Sequence, residues 1–147
     1  MKLRKHIPQN AVSLNIKGET KEEIITELID LLASERVLKD RNAAIKDVMK
    51  REAKLSTGMQ NGIALPHAKT NAVEDLVAAI GICKEGVDFS ALDKKKSKIF
   101  ILVLSPVGRS GPHIQFLAEI SKILLNHEIR ARILQANDTE TVLKYFS

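Results

Sequence analysis

The sequence predicts a single α/β domain with a central mixed β-sheet flanked by helices on both sides. Three observations lead there. Stretches with helical spacing of apolar residues alternate with short apolar runs, the pattern of a layered α/β fold. Two of those runs, Leu76 to Cys83 and Ile99 to Leu104, are almost continuously apolar, as strands covered on both faces must be. The 147 residues, 44% of them apolar, suit one core of ordinary size and leave no room for a second domain, so residues 1–147 are read as one unit.

The first strand is predicted at Ala11 to Ile16. Thr20-Lys21-Glu22-Glu23 has the form of a capping box, and Ile24, Ile25, Leu28, Leu31 and Leu32 fall on one face of the helix it opens, which runs to about Arg36. Asp40 caps a second helix, with Ile45, Val48 and Met49 on its buried side and Arg51 and Glu52 near its end. After a loop, Gly62 to Leu65 reads as a short strand, followed by the two apolar strands. Pro106 to Pro112 is rich in Gly, Pro and Ser and reads as a loop. From Pro112 onwards Ile114, Leu117, Ile120 and Leu124 have helical spacing, which puts His113 in the first turn of a helix. Shorter helices at Glu128 to Gln135, and from an Asp138 cap to Phe146, complete the outer layers.

Composition excludes several functions. The formal net charge is +5 and the pI about 9.4, but the basic residues are scattered. The one compact cluster, Lys94-Lys95-Lys96 with Lys98, precedes an apolar strand and reads as a solvated turn. Aromatic residues are 3% of the chain and tryptophan is absent, so there is no stacking platform for nucleic acid. No apolar run reaches 18 residues, and the basic start Met1 to Lys5 leads into Pro8-Gln9-Asn10, not a signal-peptide core. The expectation is a cytoplasmic protein that does not insert into a membrane. The single cysteine, Cys83, cannot form an internal disulfide and lies in an apolar run, where a buried reduced thiol is expected.

The chemistry concentrates in Ser56-Thr57-Gly58-Met59-Gln60-Asn61-Gly62-Ile63-Ala64-Leu65-Pro66-His67-Ala68. Proline fixes its own φ and biases the residue before it towards extended geometry, so the chain behind His67 is restricted and the imidazole is aimed. Gly58 and Gly62 allow positive φ and close backbone approach, and such loops turn successive amides towards an anion. A neutral imidazole is nucleophilic near pH 7, which suits reversible phosphoryl transfer.

This stretch resembles the enzyme IIA components of the bacterial phosphoenolpyruvate-dependent sugar phosphotransferase system, in the fructose and mannitol class that also contains the nitrogen-regulatory IIA proteins. Glu52 before the loop and Ile63-Ala64-Leu65-Pro66-His67 at its end stand in that family's order and spacing. Arg51 and Ser56-Thr57-Gly58 are also similar, and Pro106 with His113-Ile114-Gln115-Phe116-Leu117 matches the segment around a second family histidine. One position departs: Gln60 stands where the family usually has a small residue. The resemblance extends over nearly the whole chain. It implies an enzyme IIA type-2 domain that accepts a phosphoryl group on His67 from the histidine-containing phosphocarrier protein. The group then passes to a IIB component for sugar uptake, with no cofactor and no metal.

Around that core the remaining assignments follow. Loop amides and the hydroxyls of Ser56 and Thr57 are candidate phosphate donors, and Arg51 is a candidate phosphate contact. His113 at a helix start, where amides and the helix dipole favour an anion, is the candidate partner of His67, provided the fold brings them together. Met59 is the candidate docking residue, and His6 and His127 are expected at the surface. Two other readings stand beside this one. A nitrogen-regulatory, IIA-like signalling module would use the same phosphohistidine to control partner proteins. A metal-dependent hydrolase would need a third ligand, and the sequence has no H-x-H or H-E-x-x-H cluster.

Overall fold

In the computed structural model, which describes residues 1–147, the elements follow as β1 (Val12–Ser13), α1 (Lys21–Ser34), α2 (Arg41–Lys54), β2 (Ile63–Ala64), β3 (His67–Lys69), β4 (Val77–Val87), β5 (Ser97–Ser105), α3 (Ser110–Leu124), α4 (His127–Gln135) and α5 (Thr139–Leu143). Short 3-10 turns precede and close them at Leu3–His6 and Lys144–Phe146. β1 lies parallel to β4, β4 runs antiparallel to β5, and β2 and β3 both run parallel to the other edge of β5. The sheet is therefore mixed, as expected.

β2 and β3 behave as one edge strand with a break. Ile63 lies opposite Ile99 and His67 opposite Val103, so the register is kept across Leu65-Pro66. Pro66 has no N–H for a ladder, which confines it to an edge, but its carbonyl still accepts from Val103 N at 3.0 Å.

β5 is buried on both faces. Ile99, Ile101 and Val103 pack with Phe116, Ile120 and Leu124 of α3, Ile133 of α4, and Val142, Leu143 and Phe146. Phe100, Leu102 and Leu104 pack with Ile24, Ile25, Leu28, Ile29 and Leu32 of α1 and with Ala44 and Val48 of α2. Helices thus cover both sides of the sheet. The side chains of Thr20, Asp40 and Asp138 cap α1, α2 and α5 as predicted, and Asn126 adds a cap for α4. In the first box the returning arm, Glu23 Oε1, accepts from Glu19 N, one residue ahead of the cap.

Several expectations need correction. β1 is two residues long, although bonds from Ile80 N to Ala11 O and from Ile16 N to Ile82 O prolong the contact at both ends. β3 was not predicted, because three residues are too few to show a period. Cys83 is half-buried: beyond Ile82 the strand runs out of the helical layers, and Lys84 and Glu85 are exposed. α3 starts at Ser110, inside the expected loop; Pro112 sits in its first turn, where a missing N–H costs nothing. Its buried face is His113, Phe116, Ile120 and Leu124, which leaves Ile114 63% exposed. Among the other histidines, His127 is exposed as expected, but His6 is half-buried, donating from Nδ1 to the Leu76 carbonyl at 3.1 Å with its ring edge-on to Phe116.

Gly81 on β4 marks the closest approach of the layers. A Cβ there would lie 2.6 Å from Ile16 Cγ1 and 2.8 Å from Leu28 Cδ2, both in buried side chains. Gly81→Ala is expected to destabilise the fold by about 1–3 kcal/mol through overpacking, read as a lower urea midpoint at unchanged slope. An unchanged midpoint would show that the two layers have slack at this point.

Candidate functional site

The site begins where α2 ends. Glu52, in the last turn of α2, is 5% exposed, and a carboxylate so buried needs donors. It has three: Oε2 accepts from Thr57 N and from Lys21 Nζ, both at 2.8 Å, and Oε1 accepts from Thr57 Oγ1 at 2.5 Å. Ser56 Oγ donates to the Phe89 carbonyl at 2.7 Å and accepts from Gly58 N at 3.0 Å. A Cβ on Gly58 would lie 2.8 Å from that same carbonyl oxygen, so the approach requires glycine. Both candidate hydroxyls have protein acceptors, Ser56 the Phe89 carbonyl and Thr57 the Glu52 carboxylate, so they tie the loop to its surroundings. At the tip, Asn61 and Gly62 take the positive φ values, while Gln60 does not and is exposed, so its side chain fits without strain.

β3 delivers His67 at the end of this loop. Its Nδ1 lies 2.7 Å from the Leu65 carbonyl. A carbonyl only accepts, so Nδ1 carries the hydrogen and Nε2 keeps its lone pair. Burial lowers the His67 pKa most; the Leu65 hydrogen bond opposes this, Arg51 lowers it further and Glu52 raises it.

Across a cleft of about 550 Å³ stands His113, its ring centre 5.4 Å from that of His67. The two histidines are brought together as the sequence reading required. Burial, then the neighbouring His67 and Lys69, push the His113 pKa down to about 4. Both imidazoles are therefore neutral at pH 7. The cleft walls are cationic: Lys50, Arg51 and Lys54 come from α2 and Lys69 from β3, against one carboxylate, Asp47, which already accepts from Thr70 Oγ1 at 2.6 Å. Arg51 also ties down the chain after α2, donating from Nη1 to the Leu55 carbonyl at 2.8 Å.

Of the predicted residues, His67, His113 and Arg51 line the cleft, Ser56 and Thr57 brace its loop, and Met59 is half-buried against the α3-side core. Sequence reasoning missed Lys50, Lys54 and Lys69. Lys69 stands two residues after His67, and with β3 recognised the strand period would have placed both on one side. Its Nζ bonds Ser110 Oγ at the start of α3. No group of three His, Cys, Asp or Glu side chains is placed to hold a metal ion, and no helix is long and apolar enough to cross a membrane. Chemically, the cleft offers an unprotonated ring nitrogen beside a cationic wall, which suits a dianionic group that transfers to nitrogen.

Comparison with known proteins places the chain in a family. The chain is 36% identical over 135 residues to the fructose-specific EIIA component of the phosphotransferase system of Haloferax volcanii, covering 92% of this chain and 88% of that protein. It is 32% identical over 143 residues to the fructose-specific EIIABC component of Bacillus subtilis, where it covers 97% of its own length but spans 22% of the relative. In fold it matches the nitrogen regulatory protein IIA-Ntr of Neisseria meningitidis (TM-score 0.91, 23% identity, 99% of both chains). It also matches enzyme IIAMTL of Escherichia coli in its complex with phosphorylated enzyme IIBMTL (TM-score 0.80, 20% identity, 95% of this chain and 97% of that one). The profile of one family, the EIIA 2 component of the phosphoenolpyruvate-dependent sugar phosphotransferase system, matches residues 5–147, and the chain belongs to that family.

Proposed function

We propose that the chain is a cytoplasmic phosphocarrier: His67 accepts a phosphoryl group from the histidine-containing phosphocarrier protein and passes it to a IIB component of a sugar transporter. The observation that carries this is the bond from His67 Nδ1 to the Leu65 carbonyl, which leaves Nε2 as a free nucleophile in a cationic cleft. The Haloferax relative's fructose-specific role and the Escherichia coli complex with phosphorylated IIB support it.

The step is a displacement at phosphorus. The Nε2 lone pair forms the new N–P bond while the donor's N–P bond breaks, its electron pair returning to the donor nitrogen. No proton has to leave Nε2. The positive charge that moves onto the His67 ring is met at Nδ1–H by the Leu65 carbonyl, and the cleft lysines and Arg51 face the phosphoryl oxygens. The same phosphohistidine would serve the alternative, a nitrogen-regulatory signalling role; a neighbouring gene for a IIB component would favour transport. For docking, Met59 contributes from the loop, and the strongly exposed Ile114 on the cleft rim supplies the apolar anchor.

His67→Ala is expected to fold and to take up no phosphate when incubated with phosphoenolpyruvate, enzyme I and the phosphocarrier protein, whereas the wild type gains one acid-labile phosphate by intact mass. Labelling of the mutant at another histidine would refute the assignment. Because both pKa values are lowered, NMR titration should find His67 and His113 turning cationic only below pH 6.5, His113 near pH 4. A midpoint above 6.5 for either ring would contradict the neutral pair. Ile114→Asp should weaken apparent affinity for the phosphocarrier protein at least about tenfold while leaving the fold intact; unchanged affinity would place the docking patch elsewhere.

A further inference from the structure

The last residue of β5, Ser105, is 1% exposed, and its Oγ lies 2.5 Å from His113 Nδ1. It makes no other side-chain hydrogen bond. That isolation decides where the hydrogens are. If Nδ1–H donated to Oγ, the serine hydroxyl hydrogen would be buried without an acceptor. If Oγ–H donates to Nδ1, both groups are satisfied by one bond, and the ring hydrogen of neutral His113 is left on Nε2. Nε2 has no partner in the protein and is not among the enclosed, unsatisfied atoms, while the ring lines the cleft beside His67.

We propose that Ser105 is a positioning residue that holds His113 as the Nε2–H tautomer, so that His113 presents an N–H to the phosphoryl group on His67. The two histidines are then held in opposite tautomers by two neighbours of opposite hydrogen-bonding character. The Leu65 carbonyl, which only accepts, makes His67 the nucleophile; the Ser105 hydroxyl, which donates, makes His113 the donor. No covalent bond changes at Ser105 or His113, and the Nε2 hydrogen stays on His113 while a phosphoryl oxygen accepts from it. This role rests on the phosphocarrier reading; the tautomer itself does not.

The test therefore has two arms. In the unphosphorylated wild type, nitrogen-15 NMR of the imidazole should show His113 protonated at Nε2 and bare at Nδ1 at pH 7; protonation at Nδ1 would overturn the proposal without touching the assignment of His67. In the transfer assay, Ser105→Ala should still accept phosphate on His67 but pass it on about 5- to 10-fold more slowly, the worth of one hydrogen bond. Ser105→Thr, which keeps the hydroxyl, should restore the rate. The double variant Ser105→Ala, His113→Ala should be no slower than His113→Ala alone, because Ser105 acts through His113. A further loss in the double variant would mean a merely structural serine and would sink the proposal. If the wild type took up no phosphate, the phosphocarrier reading would fall and this role with it, while the NMR arm, repeated on Ser105→Ala, would still report whether Ser105 sets the tautomer.

Discussion

The two-faced burial of β5 is the constraint on which the rest depends. Its alternating residues commit Ile99, Ile101 and Val103 to the α3 side and Phe100, Leu102 and Leu104 to the α1 and α2 side. A neighbour paired in register inherits that division. His67, opposite Val103, faces α3 and meets His113; Ala68, opposite Leu104, is buried on the other side. Side chains alternate with period two, so a slip of one residue would carry His67 to the wrong face and separate the histidines. The position of the His67 ring is thus set by the apolar pattern of the strand beside it.

The loop that precedes His67 is held by a different interaction. Glu52 is a buried charge compensated by Lys21 from the first turn of α1 and by Thr57 from the loop, and Lys21 Nζ also lies 5.1 Å from the centre of the Phe89 ring. Removing one partner of such a buried pair costs about 3–5 kcal/mol, because the other charge stays desolvated. The carboxylate therefore ties two helices to one backbone conformation of the loop. The Ser56 hydroxyl adds a second tie, from the same loop to the Phe89 carbonyl.

The cleft combines cationic walls with two neutral rings, and the first helps to cause the second. Arg51 lowers the His67 pKa, while His67 and Lys69 lower that of His113, each adding to the effect of burial. In the proposed function, fixed cations would hold the dianion without a charged histidine, which leaves neutral rings for nucleophilic attack and hydrogen-bond donation. In the proposed transfer nothing has to be deprotonated, which suits a step that must run in both directions.

Whatever rests on local physics is legible in the order of the residues: the caps at Thr20, Asp40 and Asp138, the apolar strands, the restricted chain before His67 and the signature that resembles the family. Those features depend on neighbours within a few residues and can be read in order. Contacts between distant segments were left to the tertiary structure. β3 has too few residues to show a period and exists because β5 offers a ladder; α3 turns His113 and Phe116, not Ile114, inwards because that face meets the sheet. The same packing brought His67 to His113, Lys69 to the cleft wall and Ser105 to His113. Which nitrogen carries a proton depends on the Leu65 carbonyl, in the break between β2 and β3, and on the Ser105 hydroxyl at the end of β5, since tautomers are fixed by hydrogen-bond partners that only the folded chain assembles.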